Sequence, residues 1–245
     1  MLWGCFGLVH ILSLLLGAGG LVGLYFLLRN RSVKVQVWVL GILSLSGIAA
    51  ILFNLVAWGS PYEYLPLHLC SLTAMVLPVA VFTRNKVLSN LTLLWSLGAV
   101  MALVVNTAQA NFEVFSPTFA FYFFPHLLEF GIPILLFRLK LVKKDPKCIV
   151  STILITAAVT VLIHFANVGL NSYFVANQIL NPAGILVQVN YMYTLRPENP
   201  LLALFWSWIS LPLVYLLPAV VIVVVYLAAV YARQLIALWK KPKAA

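Results

Sequence analysis

The 245-residue chain is 64% hydrophobic and only 8% charged, against roughly 45–50% and about 25% in ordinary soluble domains, which excludes a water-soluble globular fold. The formal net charge of +10 comes from basic residues scattered singly or in small groups between apolar runs. They form no single basic face, so no nucleic-acid partner is expected.

At about 20 apolar residues per crossing, the chain has room for about seven spans in a single domain, an all-α polytopic bundle. Apolar runs of crossing length lie at 4–28, 33–58, 65–83, 88–108, 118–137, 148–169 and 202–231. The first has no basic residue ahead of it and no small-residue cleavage site before Arg29-Asn30-Arg31, and is read as an uncleaved span. Its Gly17, Gly19, Gly20 and Gly23 suit close helix packing by the small-xxx-small rule. Pro78, Pro133, Pro212 and Pro218 fall inside runs, where each removes a backbone donor and bends its helix.

Lys and Arg set the orientation. Arg29, Arg31 and Lys34 follow the first run, Arg84 and Lys86 the third, Arg138, Lys140, Lys143, Lys144 and Lys147 the fifth, and Arg233, Lys240, Lys241 and Lys243 close the chain. Only Arg196 lies in an alternate loop, so 14 of the 15 basic residues share one side, expected to be the cytoplasm. The N-terminus is then outside, the C-terminus inside, and the expected location is the plasma membrane of a bacterium. The last run is longer than one crossing, so its outer end is expected to tilt or lie along the interface. The outer loop at 170–201, rich in Asn and Pro, is a candidate lid or re-entrant segment.

With that topology, His10, His68, His126, His164, Cys70, Asn106, Gln109 and Asn167 fall in the outer half of the bilayer, and the inner half is nearly all aliphatic. Glu129 is deepest, roughly 16 Å below the start of span five at the helical rise per residue. Ionisable groups at such depths usually face a bundle interior or a water-filled cavity, so the set predicts a cavity open outward. Pro66 suits a first helical position, which puts Cys70 just past the first turn. Exposed N–H groups and the positive helix end can stabilise a negative sulfur there. In a regular helix His68, two residues from Cys70, points to another side. His126 is the better base, and Glu129, three residues on along the same face, can hold its imidazole. A thiol activated by a His that a third group holds is the arrangement nucleophilic acyl transfer requires. A lone buried Cys is more often a packing residue, and Cys5 and Cys148 are read as structural or incidental. A metal site from His68, Cys70, His126 and His164 is chemically allowed, although neither metal nor cofactor is expected.

Three segments, in order, resemble the YwaF-like integral membrane family of bacteria and its eukaryotic relatives, the transmembrane protein 164 group. They are Leu65-Pro66-Leu67-His68-Leu69-Cys70, then Pro125-His126-Leu127-Leu128 with Ile132-Pro133, then Asn190-Tyr191-Met192-Tyr193 with Arg196-Pro197. The resemblance runs from about Pro61 to the end of the last span. After Arg196-Pro197 the chain reads Glu198-Asn199-Pro200, without the Asp and Gly expected of bacterial members. The resemblance implies a membrane acyltransferase that moves fatty acyl chains among phospholipids through a Cys and a His matching Cys70 and His126.

The expected function is therefore phospholipid and lysophospholipid acyl transfer by Cys70, His126 and Glu129, with His68, Asn106, Asn190, Tyr191 and Arg196 around the substrate. Asn190, Asn106 or Gln109 could supply oxyanion donors. Two other classes fit the same residues. One is a transporter or small-molecule-binding protein that uses the cavity for solute, and the other is a structural membrane partner indifferent to Cys70. The sequence names no protein partner.

Overall fold

The computed structural model describes residues 2–4, 6–104 and 112–239. Among these the helices are α1 (Leu8–Leu28), α2 (Val33–Ser44), α3 (Ser46–Ala57), α4 (Leu69–Thr83), α5 (Lys86–Val104), α6 (Pro117–Arg138), α7 (Cys148–Ala176), α8 (Pro200–Trp208) and α9 (Leu217–Trp239). Leu2–Trp3 pairs antiparallel with Phe112–Glu113. That pairing delivers the fully buried Trp3 ring into a cluster with Phe119 and Phe123.

Among the described residues six segments are long and apolar enough to cross a membrane: Leu8–Leu28, Val33–Ala57, Lys86–Val104, Pro117–Arg138, Cys148–Ala176 and Val214–Ala237. The third expected span is shorter than the run that suggested it. Its helix, α4, has 15 residues, a rise of about 22 Å against a hydrocarbon core of about 30 Å. The reason is local: Leu65 to His68 stay irregular, with the Leu67 N–H on the Leu65 carbonyl at 2.7 Å, and His68 is the extended N-cap (ψ 154°). The helix therefore begins three residues after Pro66.

Two other spans also depart from a single straight helix. Val33–Ala57 bends at Leu45, where the N–H turns to the Ile42 carbonyl at 3.1 Å and the Ser44 hydroxyl donates to the Gly41 carbonyl at 2.6 Å, side-chain competition of the kind that bends helices. The 202–231 run breaks in two. Pro212 has no N–H to continue a ladder and disfavours helix at Leu211, Leu213 adopts φ +61°, and its N–H bonds the Thr194 carbonyl at 2.7 Å. The crossing segment accordingly starts at Val214.

Glycine packing is not where the first run suggested. A Cβ on Gly19, Gly20 or Gly23 would meet nothing within 4 Å, and of the four glycines singled out Gly17 alone is close to a partner, Leu127 at 3.0 Å. The close approaches are at Gly41 against Phe82, Gly131 against Leu21, and Gly47 against Ala74 and Glu129.

The two ends of the bundle differ. At one, Leu28, Leu40, Leu77, Val81, Ile132, Leu135 and Leu136 close into an aliphatic core. Beside it Lys86 pairs with Asp145, and Lys144 Nζ donates to the Val230 carbonyl at 3.1 Å, which ties the α6–α7 connection to α5 and α9. The hydrogen bonds from Lys86 and from the Lys147 backbone N–H hold the Asp145 carboxyl below the usual carboxylate range. The other end holds the polar cavity.

Candidate functional site

α3, the α3–α4 connection, the start of α4, the middle of α6 and the turn before α8 surround a cavity of about 460 Å³. Cys70, His68, His126 and Glu129 all line it, with Ser71, Asn54, Trp58, Glu63, Tyr64, Tyr122 and Tyr193. Cys70 is the second residue of α4, closer to the helix start than its sequence suggests, where the first N–H groups have no intrahelical partner. Because His68 lies outside the helix, it shares the cavity with Cys70 and does not point away from it.

The two histidines hold opposite tautomers. His126 Nδ1 lies 2.6 Å from the Tyr122 carbonyl oxygen. A carbonyl can only accept, so Nδ1 carries a proton, and when the ring is neutral Nε2 is the basic nitrogen. His68 Nδ1 accepts the Met192 N–H at 3.3 Å, which leaves the proton on Nε2 as a donor. The hold on His126 is thus the Tyr122 carbonyl one turn earlier and not Glu129. Glu129 is 4% exposed, and its Oε2 has no hydrogen-bond partner among the described residues. Gly47 makes room for it, since a Cβ there would sit 2.8 Å from Glu129 Oε1.

The turn that supplies Tyr193 is strained. Met192 and Tyr193 have φ of +53° and +55°, conformations costing of order 1–3 kcal/mol each in residues other than glycine. Asn167, fully buried on α7, holds the turn, its Nδ2 donating to the Tyr191 carbonyl and to Thr194 Oγ1 (2.9 Å each) and its Oδ1 accepting the Tyr191 N–H at 3.0 Å. Burial pushes the Tyr193 hydroxyl up to about 12, so it stays protonated.

Three residues expected at the substrate instead build this loop. Asn190 Nδ2 donates to the Arg196 carbonyl and to Glu198 Oε1 (2.8 Å each), the Tyr191 hydroxyl donates to the Tyr62 carbonyl, and exposed Arg196 reaches Gln188 at 3.2 Å. None of them lines the cavity. Asn106, Gln109 and Cys5 lie outside the described residues. His10 is structural: Nε2–H donates to the Leu103 carbonyl at 2.8 Å and Nδ1 accepts the Phe6 N–H at 3.1 Å. His164 lies away from the cavity on α7, and among the described residues no three His, Cys, Asp or Glu converge as metal ligands. Tyr193 and Gly47 were missed. Tyr193 stood inside a recognised motif, whereas Gly47 carried no signal that set it apart from other glycines.

Membrane-length apolar helices around a polar cavity define a multi-pass membrane protein. The chain belongs to the TMEM164 family, whose model matches residues 5–231. No curated protein and no solved structure matches it.

Proposed function

We propose that the protein is an acyltransferase that moves a fatty acyl chain between phospholipids and lysophospholipids through a thioester on Cys70. The observation that carries the reading is the meeting of a thiol at a helix start, an imidazole with a free Nε2 and an imidazole with an Nε2–H around one cavity. Cys70 Sγ attacks the ester carbonyl carbon and gives its proton to His126 Nε2. The C–S bond forms as the ester C–O bond breaks, and His126 returns the proton to the leaving lysolipid oxygen. An acceptor hydroxyl reverses these steps and regenerates the thiol. His68 Nε2–H and the protonated Tyr193 hydroxyl are the donors for the oxyanion, in place of Asn190. Glu129, three residues on along the same face of α6, lines the cavity beside His126.

We assign the chain to the bacterial YwaF-like branch of the family on its three motifs, and to the plasma membrane with the N-terminus out, the C-terminus in and seven spans. In that arrangement α4 is the seventh, completed by the irregular 65–68 segment, and α2, α3, α5 and α6 shield its unpaired backbone groups as the bilayer requires. A carrier needs a second polar route, and the aliphatic core at the basic end fills that path.

The test is covalent capture. Protein in liposomes incubated with a phospholipid donor should carry one acyl group on Cys70, found by mass spectrometry and removed by neutral hydroxylamine. Cys70→Ser and His126→Ala should each lose turnover by several orders of magnitude, and the double variant should be little worse than either, because parts of one catalytic unit are not additive. Full transfer by folded Cys70→Ala protein would overturn the mechanism.

A further inference from the structure

Two faces of α3 look onto two different spaces. Gly47, Ala50 and Asn54, at helical spacing, face the polar cavity. Ala49, Leu52, Phe53, Val56 and Ala57, at the same spacing on another side, line an apolar groove on the outside of the bundle together with Phe121 of α6. Phe121 also lines the cavity, and its ring stacks on Phe53 with centroids 4.4 Å apart and an interplanar angle of 14°. At that point one pair of rings stands between cavity and groove.

We propose that this groove seats the acyl chain of the lipid whose ester reaches Cys70, and that the ester enters the cavity across the Phe53–Phe121 seam. The proposal rests on the acyl-transfer reading and locates its substrate. A membrane lipid must bring a polar ester to Cys70 while its tail stays in apolar surroundings. The cavity would set a tail against four ionisable side chains, Glu63, Glu129, His68 and His126, whereas the groove has an almost wholly apolar lining and joins the cavity through a shared residue. From Ala49 to Ala57 it runs about 12 Å at the helical rise per residue. Lipid tails are as apolar as the groove, so it contributes little affinity. It orients the chain so that the carbonyl arrives at the thiol.

That distinction chooses the readout, which is selectivity between chain lengths. Ala49 and Ala57 are exposed, so a larger side chain there fills the groove without entering the core. Wild-type protein, Ala49→Phe and Ala57→Phe are given phospholipid donors of one headgroup carrying either long or four-carbon acyl chains, and acyl-Cys70 is quantified for each, with thermal unfolding in detergent as the control for folding. The expected result is a fall of at least tenfold in the long-to-short ratio in both variants. Acylation of wild-type Cys70 together with an unchanged ratio in folded variants overturns the groove and leaves the transferase reading standing, as does an equal fall for both chain lengths. A groove that serves a partner helix gives that same unchanged ratio, with altered self-association or co-purification. No acylation of wild-type Cys70 by any donor sinks the transferase reading, and the groove assignment falls with it.

Discussion

The division of labour proposed for His126 and His68 rests on what each Nδ1 meets, a carbonyl in one case and an N–H in the other. Both contacts are backbone, so the tautomers follow from the fold and survive changes to neighbouring side chains. Gly47 is a harder constraint. A methyl group there would lie 2.6 Å from the Ala74 Cβ and 3.2 Å from its Cα, neither of which can swing away. Alanine gains about 0.5–1 kcal/mol over glycine in a helix interior, but overpacking costs typically 1–3 kcal/mol, so the clash should win. Gly47→Ala should lower the thermal midpoint and reduce Cys70 acylation at least tenfold as α3 and α4 part and Glu129 shifts. Gly20→Ala, with open space around it, should be neutral or slightly stabilising, and equal behaviour of the two variants would refute the packing argument. The site residues legible in the sequence were the polar ones, because a Cys, a His or a Glu inside an apolar run has a desolvation cost that calls for a reason. Gly47 adds no polarity, and nothing in a list of glycines tells a tight one from a loose one. His10 shows the opposite error, a polar residue in the right half of its span that two backbone groups satisfy.

The loop between α7 and α8 positions Tyr193 and the Met192 N–H, and Asn167 and Asn171 on α7 stand in for the backbone partners that an irregular segment lacks. Asn171 clamps Val189 in the same two-sided way as Asn167 clamps Tyr191, with both bonds at 2.8 Å. Asn167→Ala would leave the buried Tyr191 N–H and carbonyl unpaired, at about 1–3 kcal/mol for each group, and release a turn that is already strained at two residues. The expected outcome is a lower thermal midpoint together with loss of Cys70 acylation, whereas unfolding alone with acylation intact at low temperature would show that the loop does not position the site. Element positions came largely from hydropathy, because a helix apolar on every side needs no partner to be visible. The late start of α4 and the break at Pro212 depend on contacts from other parts of the chain, such as the Leu213 N–H on the Thr194 carbonyl, which no local window contains. The same limit applies to Asn190 and Arg196, whose polar groups turn toward their own loop.

Across the whole molecule, charge and polarity run in opposite directions. Among the described residues the basic ones other than Arg196 gather toward the aliphatic core, and the cavity lies toward the other end, so on the acyl-transfer reading the orientation of the protein decides which leaflet supplies the substrate. α7 carries the argument, since its 29 residues rise about 43 Å against a hydrocarbon core of about 30 Å. The Asn181–Gly184 turn beyond its end therefore stands clear of the core, as does Lys143 in the basic connection before its start. Both positions tolerate cysteine: Ala183 is exposed and uses only its backbone N–H, bonded to Asn181 Oδ1 at 3.0 Å, and Lys143 is exposed. In a background with Cys5, Cys70 and Cys148 replaced by serine, Ala183→Cys should react with an impermeant maleimide added to intact cells. Lys143→Cys should react only after permeabilisation, because Lys and Arg are retained on the cytoplasmic side. The reverse labelling would turn the cavity toward the inner leaflet and make the cytoplasmic face the source of donor and acceptor lipid.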